Sequence, residues 1–138
     1  MITVKIVRSS DRKISGIFVS GHSGYAESGS DIVCAGASTL IYTLINSLER
    51  VCGADPMKIA NIVEGEDVNA EVIVPSDETA QIIAETIYTG YMSLAASANG
   101  DGMQYIMVKE ENMLYKHFGE KFVVEKTGEV DPNTVWDK

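Results

Sequence analysis

The reading of residues 21–52, GHSGYAESGSDIVCAGASTLIYTLINSLERVC, decides the fold. Six of the first ten residues, Gly21 to Ser30, are Gly or Ser, which is loop composition. The period then changes. Val33, Ala37, Ile41, Leu44, Ile45, Leu48 and Cys52 recur at three- and four-residue steps, the apolar face of an amphipathic helix. Asp31 stands where an N-cap belongs, and Gly53 follows the last periodic residue, where a C-terminal glycine belongs. The pattern predicts a helix over about Ile32 to Cys52.

Upstream, Ile2 to Val7 alternates apolar and polar residues, the mark of a half-buried strand. Ser9-Ser10-Asp11 is turn chemistry, and Ile14 to Ser20 reads as the second strand of a hairpin. Downstream, Asp55-Pro56 is a break. Lys58 to Glu64 and Val68 to Val74 are strand candidates joined by Gly65-Glu66-Asp67. Ser76, followed by two acids, opens a second helix with Ile83, Ile87, Tyr91, Leu94 and Ala98 as its buried face. Asn99-Gly100 ends that helix, and Met103 to Lys109 is a fifth strand. The order ββαββαβ predicts a two-layer α+β domain: a mixed sheet of about five strands with both helices on one face. The other face is expected to meet solvent or a partner.

This places one domain at residues 1–110 and a C-terminal extension of unknown role at 111–138. The extension carries ten charged residues in 28, with Lys121 to Lys126 as a possible short strand and Phe118 and Trp136 as isolated aromatics. Its expected state is mobile or packed on the surface.

The whole chain of 138 residues has 11 Lys and Arg against 20 Asp and Glu, a net charge of −9. Such a chain is ill suited to direct nucleic-acid binding and better suited to a basic partner. No uninterrupted apolar run approaches the roughly 20 residues of a membrane span, and the alternating N-terminus lacks a signal-peptide core, so no membrane role and a cytoplasmic location are expected. Cys34 and Cys52 are then expected as thiols. Eighteen residues of helix separate them by roughly 27 Å, against the ~7 Å limit on Cα separation in a disulfide.

Cys34 falls in the first turn of the predicted helix, where unpaired N–H groups favour a thiolate. For a lone cysteine, plain packing is the commoner role. His22 lies 12 residues earlier, where the second strand enters the loop, within reach of that helix start. An imidazole there can take a thiol proton and return it to a leaving amine. Gly21, Gly24 and Gly29 permit close backbone approach and lid motion. Backbone N–H groups around Cys34 and Ala35 are expected to hold a developing oxyanion. Asp31 either orients His22 or only caps the helix, and Ser38, one turn beyond Cys34, is a supporting residue. The loop has no GxGxxG, and the chain has no GxxxxGK[ST]. With no CxxC or HxxxH pairing, Cys52 reads as core and His117 as a tail residue, so neither a metal nor a cofactor is expected.

Taken as one string, Gly21 to Ser38 resembles the signature of the ribosomal-processing cysteine protease family Prp, also called YsxB-like. The shared residues are Gly21-His22, Gly24-Tyr25-Ala26, Gly29 and Asp31-Ile32-Val33-Cys34-Ala35. Gly36-Ala37 stand where Ala-Val is commoner, a change expected to be harmless on a helix. The resemblance spans about Met1 to Glu110. It implies a Cys–His endopeptidase that removes an N-terminal extension from the precursor of large-subunit ribosomal protein twenty-seven, cutting after an aromatic pair. By position it makes Cys34 the nucleophile and His22 the general base and acid, and it implies a homodimer. An extended substrate held near the loop by sheet-edge pairing is a further expectation. Two other readings use the same residues: a non-catalytic ribosome-associated assembly factor with an inert Cys34, and a thiol acyltransferase or thioesterase.

Overall fold

The computed structural model describes residues 1–26, 31–63, 65, 68–100, 102–116 and 122–132. Strands β1 (Ile2–Arg8) and β2 (Ile14–Gly21) form the expected hairpin. Helix α1 (Ile32–Cys52) starts and stops where the sequence puts it. Asp31 caps it by accepting from Val33 N and Cys34 N, and Gly53 closes it with φ 71°. A one-turn helix, α2 (Pro56–Ile59), then leads into β3 (Ala60–Ile62) and β4 (Val68–Ile73). Helix α3 (Glu78–Ala98), β5 (Ile106–Lys116) and β6 (Phe122–Glu129) complete the chain.

The fold is α+β, as expected, with one sheet in the order β3-β4-β2-β1-β5-β6. The β1–β5 pair is parallel and the others antiparallel, so the sheet is mixed. Among the described residues it has six strands rather than five. Val68, Ala70 and Val72 of β4, Ile17 and Val19 of β2, and Ile2, Val4 and Ile6 of β1 share one core with α1 and α3. Alternation along each strand leaves Lys5, Phe18 and Ile73 on the opposite face, around a shallow cavity of ≈ 160 Å³.

Four local expectations need correction. The strand expected from Lys58 is shorter, because Asp55 and Pro56 start a helical turn: the Asp55 carboxylate accepts from Met57 N, and proline fits the first helical position. Asp77, not Ser76, caps α3, accepting from Ala80 N at 3.0 Å. The buried stripe of α3 is Ala80, Ala84, Ile87, Tyr88, Tyr91 and Ala95, rotated from the expected one because small residues take the closest approach. The fifth strand begins later and runs further. Asn99 sets its start, accepting from Tyr105 N at 2.8 Å and donating to Ile106 O at 2.9 Å. Pairing with β1 on one side and β6 on the other carries it to Lys116, across the boundary expected at 110. His117, Phe118 and Trp136 lie outside the described residues.

Gly36 and Gly90 sit where the two long helices meet. A Cβ on Gly36 would stand 3.0 Å from Leu94 Cδ1, and one on Gly90 2.5 Å from Leu40 Cδ2. Gly36 is therefore a tight contact, not the neutral helix position expected. Nearby, the buried Tyr91 hydroxyl donates to Ala37 O at 2.8 Å. By length and composition alone α1 is apolar enough to cross a membrane. Here its stripe from Val33 to Leu48 is buried in the core.

Candidate active site

The site forms where β2 ends and α1 begins. Gly21, the last residue of β2, has φ 108°, and a Cβ there would run into the Met1 carbonyl oxygen. Only glycine relieves both constraints. His22 follows directly, so the sheet fixes the root of its side chain. Gly24, with φ 70°, turns the chain away in open space.

His22 Nδ1 lies 3.4 Å from Cys34 Sγ. The ring is 41% exposed, whereas the Asp31 side chain is 3% exposed. Asp31 spends one oxygen on the helix start, accepting from Val33 N at 3.0 Å and Cys34 N at 2.9 Å. Its other oxygen accepts from Ser23 Oγ. Burial alone would raise this carboxyl's pKa. The hydrogen bonds from Ser23, from the Cys34 backbone and thiol, and from Val33 outweigh burial and hold it below the ordinary value.

Asp31 Oδ2 stands 3.8 Å from His22 Nδ1, beyond hydrogen-bond length. It faces the nitrogen that also faces the sulfur. The structure therefore gives Asp31 the cap, with its second oxygen near the ring but not hydrogen-bonded to it.

Ser23, which sequence reasoning did not single out, is 4% exposed. Its N–H points at Cys34 Sγ at 3.5 Å, and its Oγ joins Asp31 to the Tyr25 N–H at 3.1 Å. The sequence offered only a serine directly after the histidine, and its bond to the cap residue eight positions on is visible only in the fold. Tyr25 leans edge-on against Tyr105, with ring centroids 5.1 Å apart, tying the loop to the start of β5.

Two expectations fail on geometry. Cys34 N–H is held by the Asp31 side chain, and Ala35 N–H donates to Asp31 O at 3.1 Å, so neither is a free oxyanion donor. Both backbone edges of β2 are paired through Gly21, with Ile2 and with Val68, so a peptide finds no sheet edge beside His22. Ser38 is half-buried one turn further along α1 and takes no part in the described hydrogen bonds of the site. Gly29 lies outside the described residues. Cys34 and Cys52 are both free thiols, at opposite ends of α1. An open groove of ≈ 550 Å³ lies elsewhere, between the β1–β2 turn and the first half of α3.

A thiol at a helix N-terminus with an imidazole nitrogen against its sulfur is the equipment of a cysteine hydrolase. Comparison with known proteins agrees. The family model described as cysteine protease Prp matches residues 1–101, and the chain belongs to that family. It is a cysteine protease.

A ribosomal processing cysteine protease Prp of Staphylococcus aureus is 27% identical over 99 residues, covering 72% of this chain and 92% of that protein. Another, of Bacillus subtilis, is 35% identical over 57 residues, covering 41% and 51%. Among solved structures, the S. aureus protease bound to a covalently linked product peptide has TM-score 0.65 at 23% identity, covering 80% of this chain and 99% of that one. A Streptococcus mutans protein has TM-score 0.67 at 25% identity, covering 81% and 95%.

Proposed function

We propose that this protease removes the N-terminal extension from the precursor of large-subunit ribosomal protein twenty-seven, using Cys34 as nucleophile and His22 as general base and acid. The observation that carries this reading is the 3.4 Å approach of His22 Nδ1 to Cys34 Sγ at the start of α1. His22 Nδ1 takes the thiol proton, and the sulfur attacks the scissile carbonyl. The imidazolium then protonates the leaving amine as the acyl–sulfur bond remains. Water, deprotonated by His22, releases the acid and restores the thiol. Ser23 N–H, the backbone donor aimed at the sulfur, takes the oxyanion role that Cys34 and Ala35 cannot.

The ribosomal processing named for the curated relatives supports the substrate. So does the net charge of −9, which suits a basic precursor and disfavours nucleic acid as a direct partner. In this reading a second copy of the chain covers the open sheet face around Phe18 and Ile73, and the reaction takes place in the cytoplasm.

The test is to offer the chain a peptide spanning the precursor's extension, and the same peptide with its aromatic pair changed to alanine. One cut after the pair, absent from the altered peptide, is expected. Binding of the native peptide without cleavage would replace this reading with that of an assembly factor.

A further inference from the structure

The chain lacks any sequence spacing for a metal, yet the fold gathers three donors of different kinds. His22, Asp31 and Cys34 each offer one ligand atom, a ring nitrogen, a carboxylate oxygen and the sulfur, and the three lie within 4.8 Å of one another. The nitrogen stands 3.4 Å from the sulfur and 3.8 Å from the oxygen. In tetrahedral zinc, with bonds of about 2.0–2.3 Å, neighbouring donors are roughly 3.3–3.7 Å apart. The nitrogen–sulfur edge is therefore already at ligand spacing, and the nitrogen–oxygen edge needs to close by a few tenths of an ångström.

We propose that His22, Asp31 and Cys34 form a reversible inhibitory site for a zinc-type divalent cation. Asp31 is placed in advance: buried, and pinned by Val33 N, Cys34 N and Ser23 Oγ. Its Oδ2 keeps a lone pair beyond the one Ser23 occupies. Ser23 thus serves as the outer support that metal-binding carboxylates usually have. The half-exposed His22 gives solvent access to the cluster, and water would complete the pattern of three protein ligands and one exchangeable position. Thiolate, imidazole and carboxylate together favour zinc over magnesium or calcium.

On binding, the Cys34 thiol releases its proton to solvent and a sulfur–metal bond forms, while His22 donates its Nδ1 lone pair. Affinity therefore rises with pH. The consequence for activity rests on the proposed Cys34–His22 mechanism, because the ion would occupy both reacting atoms at once. The binding itself does not depend on that mechanism.

The test begins with the full chain freed of metal by chelator and titrated with Co²⁺. One equivalent should bring up a thiolate-to-cobalt charge-transfer band and the visible bands of four-coordinate cobalt. Zn²⁺ should displace both. Cys34→Ala should lose the charge-transfer band and Cys52→Ala should keep it. His22→Ala and Asp31→Asn should each weaken binding by about 10-fold or more. In the peptide assay, Zn²⁺ should stop cleavage and chelator should restore it.

A wild type without the band, a band that survives Cys34→Ala, or cleavage that continues with zinc bound would each overturn the proposal. The expected spectrum with Co²⁺ added, in a chain that never cleaves peptide when metal-free, would sustain the site and remove the peptidase mechanism instead.

Discussion

Asp31 is the residue on which the site turns. Its two oxygens join the start of α1, Ser23 and the neighbourhood of His22. The sign of its pH effect follows from its depressed pKa. Unfolded, the carboxyl titrates near 3.8; folded, it titrates lower. The unfolded state thus takes up the proton first as pH falls, so the stabilisation is complete above the unfolded value and lost as pH drops through the folded one. Asparagine keeps the cap and loses only the charge, so wild type should exceed Asp31→Asn by roughly 0.3–1 kcal/mol at neutral pH in urea unfolding. That margin should shrink only below roughly pH 4, and a margin constant down to pH 2.5 would contradict the account. Cys52, at the far end of α1, is the less reactive thiol by its own surroundings. Burial, with the Asp77 charge, pushes the Cys52 thiol pKa up, so less of it is thiolate at neutral pH. Peptide mapping after brief iodoacetamide treatment should find Cys34 alkylated first.

At the scale of elements, α1 was legible in full because period, cap and terminal glycine agree on the same bounds. The approach of His22 to Cys34 was legible only as a loop short enough to allow it. What escaped was whatever depends on a neighbour. The α3 stripe is rotated because three alanines face the core, a choice made by packing distance rather than hydrophobicity. The engagement of the Cys34 and Ala35 N–H groups follows from the cap geometry of Asp31, which spacing does not reveal. Gly21 was named as permissive, but its necessity comes from the Met1 carbonyl on the adjacent strand. Gly21→Ala should therefore destabilise the protein by more than ~1 kcal/mol and lower cleavage by displacing His22. Chemical denaturation checks the first effect, and a stability equal to wild type would refute it.

For the whole molecule, the order of elements read the fold class correctly, but it did not show how far the sheet continues past 110. The charged segment after 110 resembles an extension, yet β5 runs through it and β6 pairs along it. Val130 N donates to Val108 O at 2.8 Å, returning the chain to the core. Strand pairing between distant segments leaves little trace in composition, which is why the sixth strand was faint. β1 meets β5 only as far as Asn112, so the sheet beneath the site should survive without β6. A chain ending at Asn112 should unfold cooperatively and still cleave peptide. It should also self-associate more than the full chain, because the β5 edge is uncovered. Circular dichroism and sedimentation would report this, and an unfolded truncated chain would show that β6 is integral.

The central claim is that Cys34 and His22 act together on a peptide bond. The direct measurement is turnover of the precursor peptide by wild type, Cys34→Ala and His22→Ala, with products read by mass spectrometry and folding confirmed in parallel. The account predicts a single cut by wild type, none by Cys34→Ala, and at least a ~10²-fold slower cut by His22→Ala. Cleavage retained by folded Cys34→Ala would contradict it.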